Sequence, residues 1–531
     1  MTLAGVLPVV EWLPRYDRRR LRGDLAAGIA VTALIVPKDL GYAGIAGVPL
    51  QNGLYAAAAG AIIYALFCTS RQISTGPSSS LAAVAGGAVV VAGLAGGEAA
   101  ALFLAMWAMR LGRIAQFLSR AVVTGFLAGA AIDVVIGELP KLTGTDADGE
   151  NSWRELSSWF RSLDTTDATT LAVGLAALGV ILGLRKAAPK VPGALVLVVG
   201  GLLASATFDL GAHGVALVGD VPSGLPAPAL PDLHVFGDHL ATILPAAVAL
   251  VLIGFSQTAG DARAFATRHG YRVDLNQESL AQAMANGGAG LFQGMPVSTS
   301  LSASSLNESA GARTPLASLT TGGFVLLTLI ALAPLFSDLP KAVLGAVIID
   351  AVVFGMIDVR DLRRLYRVKR VDFAIALAAL VGVLSVGILA GVVIGVALSL
   401  AWLVVVTTAP AIETLREDGA PGVVVVRPDG GLFFATADAL HDRLRGLAEA
   451  ADPPLRAIVL DLEGVNFVDS QGAAKLTELS HLGESYRVAL RLARVKDPVR
   501  SVLEAEGVLL PIHGSVHDAV EAEAPELSPA L

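Results

Sequence analysis

A lysine and an aspartate stand side by side in the first long apolar segment of the chain. Lys38 and Asp39 follow Pro37 within a predominantly apolar segment at 25–46. An ionisable residue inside such a segment is costly unless it is paired or faces water, and it therefore marks a candidate functional site. Lys38 could bind an anion, or it could pair with Asp39 or extend towards an interface. Tyr42, one helical turn further along, could form a wall of the same site.

Two hydroxyl-rich stretches provide a second set of candidates. Residues 71–80 read RQISTGPSSS and residues 293–300 read QGMPVSTS. Each stretch precedes a short apolar run, which predicts an extended segment followed by a half-helix. Unpaired N–H groups and the positive end of a helix favour an anion, although the same residues could simply cap or pack broken helices. The candidate anion-binding residues are Ser78, Ser79, Ser80, Val297, Ser298, Thr299 and Ser300.

A third candidate pair lies further along the chain. Gln257 and Asp261 are four residues apart, and they therefore share one face of a helix. Gln257 could line the anion site. Asp261 is a candidate to carry a coupling proton, as is Asp39. Alternatively, Asp261 lies near the cytoplasmic end of its helix and pairs with Arg263 or Arg268.

The rest of the chain must hold these residues within a membrane. Hydrophobic residues make up 54% of the 531 residues, charged residues make up 16%, and there are 57 glycines, a composition typical of helices packed in lipid. Many apolar runs are shorter than the ~20 residues of a straight crossing, which predicts broken helices. We predict about fourteen spans, at 25–46, 52–69, 77–94, 98–119, 121–140, 168–185, 191–208, 239–265, 277–293, 297–309, 315–335, 341–357, 371–388 and 389–408.

The distribution of charge predicts how these spans are oriented. Arginines cluster before the first span, and basic residues follow the second, sixth, eighth and twelfth spans, whereas loops such as 146–150 are acidic. The positive-inside rule then places both termini in the cytoplasm. Seven spans separate the two hydroxyl-rich stretches, so the stretches run in opposite directions. This is the pattern of inverted repeats, here roughly 24–208 and 237–409, after a cytoplasmic segment at 1–23.

The composition also argues against several other classes of protein. The single cysteine, Cys68, excludes a disulfide framework, and the net charge of −8 gives no nucleic-acid signal. No cleavable signal peptide, histidine pair at metal-ligand spacing or nucleophile elbow is visible. We therefore predict no enzymatic activity, no cofactor, no metal and no nucleic-acid partner.

The C-terminal part, 410–531, has the pattern of a soluble α/β domain. Residues 456–475 read RAIVLDLEGVNFVDSQGAAK, which predicts a strand, a polar loop and a helix capped by Asp469. Further strands are predicted at 423–427 and 431–435, and a helix is predicted at 437–450.

This tail resembles the STAS domain of sulfate permease, or solute carrier 26, anion transporters. Residues 34–43 (LIVPKDLGYA) are similar to the family's Ile-Pro-Gln-x-x-Ala-Tyr-Ala, and residues 70–77 (SRQISTGP) to its Ser-Arg-Gln-x-Ser-x-Gly-Pro. Residues 276–278 with Asn286, and residues 311–315, match later parts of the pattern. The resemblance implies a polytopic α-helical protein with seven-plus-seven inverted repeats, a core domain that holds the substrate, a gate domain and a cytoplasmic STAS domain. It also implies a homodimer and an elevator-like movement.

The implied function is secondary active transport of a small anion across the inner membrane. Sulfate, bicarbonate, chloride and dicarboxylates such as fumarate all occur among relatives. Lys38 replaces the family's glutamine in the break of the first span, which favours a dicarboxylate. Gln257 replaces a carboxylate of many relatives, which weakens a sodium site and favours proton coupling or uncoupled exchange.

Two other functions fit the same resemblance. One is an anion exchanger or channel on this fold, and the other is a membrane sensor whose STAS domain recruits a protein partner. Phosphorylation of the loop at 469–472 is not expected, because Gln471 stands where related proteins accept phosphate on a serine.

Overall fold

The computed structural model describes residues 6–92, 119–188, 191–225, 227–229, 240–408, 411–415, 421–451 and 454–522. The chain divides into two compact units, Met1–Ser399 and Leu400–Leu531. The span predicted at 98–119 lies outside the described residues, except for Ser119.

Apolar helices make up most of the first unit. Thirteen of the fourteen predicted spans coincide, within a few residues, with helices of the described residues. The helices are α1 (Val9–Trp12), α2 (Leu21–Ile45), α3 (Leu50–Phe67), α4 (Ser79–Ala92), α5 (Arg120–Thr143), α6 (Ser152–Arg161), α7 (Ala168–Ala187), α8 (Gly193–Phe208), α9 (Leu240–His269), α10 (Leu275–Leu291), α11 (Leu301–Ser309), α12 (Leu316–Ala331), α13 (Lys341–Met356), α14 (Val359–Val368), α15 (Arg370–Val386) and α16 (Ile388–Thr407). Among the described residues, six helical segments are long and apolar enough to cross a membrane: Arg18–Ile45, Leu50–Phe67, Arg120–Thr143, Ala168–Ala187, Lys341–Val368 and Ala390–Thr407.

The two hydroxyl-rich stretches form extended segments followed by short helices, as predicted. Thr75–Gly76 (β1) pairs antiparallel with Ser298–Thr299 (β2), with Thr75 opposite Thr299 and Gly76 opposite Ser298. Helix α4 follows the first strand and α11 follows the second. Because the strands are antiparallel, the two half-helices leave the pair in opposite directions. This is the geometry of inverted repeats whose half-helices meet at one site.

The first span is not broken, and that prediction was wrong. Helix α2 continues through Pro37 from Leu21 to Ile45. Proline removes one helical hydrogen bond, here the bond to the carbonyl of Ala33. Packing holds the helix straight enough to continue, since Ile35 and Leu40 are buried in the main apolar core. Helix α3 lies so close to α2 that a Cβ added at Gly53 of α3 would overlap the carbonyl oxygen of Asp39.

The helices of the first unit pack in two groups. In the first, which we call the core group, α2 packs against α3, α11 and α12, α3 against α10, and α4 against α9. In the second, the gate group, α13 packs against α5 and α7, α5 against α15, and α8 against α7. Helix α2 also contacts α13 and α8, and α4 contacts α13 and α5, so the boundary between the groups runs along α2 and α4.

The second unit contains a five-stranded sheet in the order β3-β4-β5-β6-β7. Strand β3 is antiparallel to β4, and the remaining neighbours are parallel. The helix predicted at 437–450 has those bounds in the structure. The elements are β3 (Ala411–Leu415), β4 (Val423–Asp429), α17 (Ala437–Ala450), β5 (Ala457–Asp461), α18 (Ser470–Tyr486), β6 (Ala489–Ala493), α19 (Asp497–Glu506), β7 (Ile512–His513) and α20 (Val516–Glu521).

One strand of this unit was predicted in the wrong place. Residues 431–435 do not form a strand: Leu432 makes a single parallel bridge with Val468, and a turn follows in which Thr436 Oγ1 accepts from the N–H of Phe433 (3.0 Å) and donates to the carbonyl of Gly431 (2.7 Å). The strand beside β4 is instead Ala411–Leu415, which the sequence analysis missed. The capping of α18 by Asp469 is confirmed, because its carboxylate accepts from the N–H of Gly472 at 2.7 Å.

Asp461 at the end of β5 is fully buried between two arginines. Its carboxylate accepts from Arg427 Nε (2.6 Å) and Arg494 Nε (2.9 Å). Burial raises the pKa of the Asp461 carboxyl, but the hydrogen bonds from Arg494 and Arg427 outweigh burial and hold the pKa below its usual value. A depressed carboxyl pKa adds stability above its unfolded value, and that stability is lost as the pH falls through the folded value.

We therefore expect Asp461→Asn to lower the free energy of unfolding of this unit by about 2–4 kcal/mol at pH 7, because two partly buried arginines lose their anion. The difference from the wild type should begin to shrink below about pH 4, the ordinary pKa of an unfolded aspartate, and should vanish only as the pH falls through the lower pKa of folded Asp461. The free energy of unfolding is measured by urea titration of the full chain, in which limited proteolysis of the C-terminal unit reports the unfolded fraction. Glu463→Gln is the matched control, because this exposed carboxylate contacts the same arginines. An equal loss of stability in both variants would show that Asp461 is not the main partner of the two arginines.

Candidate functional site

A cavity of about 530 Å³ lies beside the β1–β2 pair, and we call it the central cavity. Most of the residues that the sequence analysis proposed for the site line this one cavity. They are Lys38, Tyr42, Ser78, Ser79, Ser80, Gln257, Asp261, Thr299 and Ser300. Val297 and Ser298 are fully buried and are not among the lining residues, and Asp39 lines a smaller hollow next to it.

Both half-helices begin at the wall of the central cavity. Ser78 Oγ accepts from the N–H of Leu81 at 3.4 Å in the first turn of α4. Ser300 caps α11 in the same way, since its Oγ accepts from the N–H of Ala303 at 3.4 Å. Two positive helix ends from opposite halves of the chain therefore converge on one cavity, which is a favourable place for an anion.

Lys38 adds a full unit of positive charge to the partial positive charges of the two helix ends. Among the described lining residues it is the only cation, and Asp261 is the only carboxylate. The ammonium of Lys38 makes no ion pair or hydrogen bond within the described part of the chain, although Asp350 and Asp39 lie within electrostatic range. The pairing with Asp39 that the sequence left open is therefore absent. Neighbouring residues of a helix point about 100° apart, which keeps the two side chains separate.

Gln257 links the two half-helices through its side-chain amide. Its Nε2 donates to Ser80 Oγ at 2.7 Å, and its Oε1 accepts from Ser298 Oγ at 3.0 Å. Ser298 also lies 3.0 Å from Ser78 Oγ. A neutral amide can both donate and accept here, which an ionised carboxylate could not do.

Asp261 pairs with neither of the arginines that the sequence analysis suggested, Arg263 and Arg268. It accepts from Thr299 Oγ1 at 2.9 Å, whereas Arg268 pairs with Glu308 at 2.6 Å. The expected pairing with Arg263 or Arg268 was therefore wrong. The reason is that β2 brings Thr299 against the cavity face of α9, while Arg268 lies two turns further along.

Asp39 has a carboxylate oxygen without a partner. Only 2% of Asp39 is exposed, and its Oδ2 has no hydrogen bond among the described residues. Thr75 Oγ1 is equally buried and unpartnered. Both residues line a hollow of about 10 Å³ that also borders Lys38. This hollow is about the size of one water molecule, and a buried water normally satisfies such groups.

The sequence analysis named Asn286 only as part of the family pattern and missed its role, which is to fix the conformation of the chain at Val297. Its Oδ1 accepts from the N–H of Val297 (3.0 Å), and its Nδ2 donates to the carbonyl of Val297 (2.9 Å). The fully buried Glu278 similarly accepts from the N–H groups of Thr69 (2.8 Å) and Ser70 (2.9 Å), just before β1. Both residues belong to the motif quoted above. Their polarity within an apolar span was the available signal.

The second missed feature is an ion pair in the gate group. Arg185 binds Asp350 through Nε (2.9 Å) and Nη2 (2.7 Å). Its guanidinium also stacks on Phe354, 4.0 Å from the ring centre. Asp350 stands out in the sequence as a carboxylate inside a predicted span, but its partner is 165 residues away.

Comparison with known proteins matches both units. Residues 21–379 match the family model of the sulfate permease family, and residues 415–519 match the STAS domain. The chain belongs to the sulfate permease family. This permease is 34% identical to a probable sulfate transporter of Mycobacterium tuberculosis, over 96% of this chain and 95% of the relative. It is 29% identical to a sodium-independent sulfate anion transporter of Bos taurus, over 96% and 90% of the two chains.

The fold of the permease also matches a solved structure. The murine solute carrier 26 family member A9 anion transporter in the inward-facing state superposes with a TM-score of 0.88 at 22% identity, covering 97% of this chain and 93% of that one. The family, the inverted-repeat transporter fold and the STAS domain predicted from the motifs are therefore confirmed. The permease is a multi-pass membrane anion transporter.

Proposed function

We propose that this permease carries a small divalent anion, either sulfate or a dicarboxylate such as fumarate, in the central cavity. One observation carries the proposal: the unpaired ammonium of Lys38 shares this cavity with the starts of two half-helices. Each helix end supplies only about half a positive charge, whereas Lys38 supplies a full one. A dianion can interact fully with both the helix ends and the Lys38 ammonium, whereas a monoanion such as bicarbonate carries too little charge to do so. The names of the relatives favour sulfate.

We further propose that protons drive the transport. The core group places one cation, Lys38, and two carboxylates, Asp39 and Asp261, around the site. Adding a dianion makes this part of the protein more negative, and a buried excess charge is costly. A proton on a carboxylate offsets the added charge. Asp39 is better suited than Asp261, because Asp261 has Thr299 as a donor and Asp39 Oδ2 has none among the described residues.

The proposed movement is an elevator-like displacement of the core group against the gate group, in a homodimer of the inner membrane. The packing in two groups supports this, since the β1–β2 pair and the helix that carries Lys38 pack mainly within the core group. The basic clusters support an orientation with both termini in the cytoplasm, which would put the STAS domain there to bind a protein partner.

Uptake of labelled sulfate, fumarate and bicarbonate into proteoliposomes tests the proposal, with and without an inward proton gradient. We expect gradient-stimulated uptake of a dianion. Uptake that requires only an internal anion would identify an exchanger, and steady single-channel currents would identify a channel. No flux of any of the three would leave the sensor function of the STAS domain as the better explanation.

The proton site is tested by Asp39→Asn. One proton per anion and a gradient of one pH unit, about 1.4 kcal/mol, allow up to about tenfold accumulation at zero membrane potential. We expect Asp39→Asn to abolish this accumulation while anion exchange continues, because an amide cannot bind the proton. Asp261→Asn is the control and should retain accumulation. The reverse result would assign the proton to Asp261.

A further inference from the structure

Lys38 lines a second cavity, of about 410 Å³, which the proposed transport site does not use. Among the described residues, the other charged side chains of its wall are Arg185 of α7 and Asp350 of α13. Asp350 is held in place, because Arg185 binds both of its oxygens and is itself stacked on Phe354. The wall is otherwise mostly apolar, so these three groups dominate its electrostatics.

Asp350 is the only carboxylate among the described residues that line this cavity, and Lys38 is one of its two cations. Arg185, the other cation, is already paired with Asp350, whereas Asp39, the neighbour of Lys38 in the chain, is not among the lining residues of this cavity. The ammonium and the carboxylate are not in contact, and no ion pair joins them in the described structure. They also lie on different groups of helices, because Lys38 is on α2 of the core group and Asp350 is on α13 of the gate group.

We propose that Asp350, positioned by Arg185, is the counter-ion of Lys38 in the empty permease and thereby sets the affinity for the transported anion. This inference rests on the proposed binding of the anion by Lys38. The arriving anion and Asp350 compete for one ammonium. A carboxylate already shared with Arg185 attracts Lys38 only weakly, so the anion can displace it.

The position of the pair connects anion affinity with movement. Displacement of the core group against the gate group changes the distance between Lys38 and Asp350, whereas Arg185 and Asp350 stay together on the gate group. Affinity for the anion therefore rises when the core group carries Lys38 away from Asp350 and falls when it brings them together. Asp350 acts through Lys38 and is a positioning residue, not a residue that touches the anion.

A double-mutant cycle over Lys38 and Asp350 tests this inference. The KM for sulfate is measured in proteoliposomes for the wild type, Asp350→Asn, Lys38→Gln and the double variant. We expect Asp350→Asn to lower KM about fivefold in the wild type, because the competing carboxylate is gone. In the Lys38→Gln background the same substitution should change KM less than about twofold. Asp338→Asn, an exposed aspartate just before α13, is the matched control and should leave KM unchanged.

Arg185→Gln provides a second arm with the opposite sign. It frees Asp350 to attract Lys38 fully, so KM should rise, and this rise should also vanish with Lys38→Gln. If Asp350→Asn is not monodisperse in detergent, the Arg185→Gln variants alone test the inference. An equal change of KM with and without Lys38 would overturn the inference and leave the proposed transport intact. An unchanged KM in Lys38→Gln alone would instead refute the proposed anion binding.

Discussion

Replacing Lys38 by glutamine should raise the KM for the transported dianion about ten- to a hundredfold. A hydrogen bond to a charged group contributes about 1.5–3 kcal/mol, which corresponds to such factors in affinity. The effect should be large because no other cation lines the central cavity among the described residues. The measurement is the concentration dependence of sulfate and fumarate uptake, with folding checked by size-exclusion chromatography.

Lys341→Gln is the matched control for this substitution. Lys341 begins α13, is exposed and does not line the cavity, so its loss should leave KM unchanged. Lys38→Arg keeps the positive charge and should recover part of the affinity. Unchanged uptake of the dianion by Lys38→Gln would remove the basis for assigning the anion to this ammonium.

Adding one methyl group at Gly53, on the neighbouring helix α3, should disrupt the same site. A Cβ at Gly53 overlaps the backbone oxygen of Asp39, which cannot turn away as a flexible side chain could. We expect Gly53→Ala to lower the free energy of unfolding by about 1–3 kcal/mol through overpacking. We also expect at least about tenfold slower transport, because α2 must shift and Lys38 and Asp39 move with it.

Thermal unfolding in detergent and uptake at saturating anion measure the two effects separately. Gly44→Ala is the control on α2, where an added Cβ would meet only side-chain atoms at 3.9 Å. This control should be neutral or slightly stabilising, because alanine favours a helix more than glycine does. If both variants behave alike, the close approach of α2 and α3 does not position the site.

Local patterns in the sequence predicted the apolar helices and most of the polar residues that line the central cavity. Apolar runs located thirteen helices of the described residues, because the cost of burying polar groups in lipid is a local property. Glycine, proline and hydroxyl residues marked the extended segments before α4 and α11, since these residue types favour turns and caps. An isolated charge in an apolar run was enough to single out Lys38 as a candidate.

The partners of the charged groups were decided by tertiary structure alone. Asp261 is bound by Thr299, 38 residues away, and Asp350 by Arg185, 165 residues away. Nearby arginines were the natural expectation, but the packing of α9 against β2 and of α13 against α7 determines which donors are within reach. Burial of Ile35 and Leu40 in the main apolar core carries α2 through Pro37. Composition and spacing report local preferences, whereas the contacts that overrule them join residues far apart in the chain.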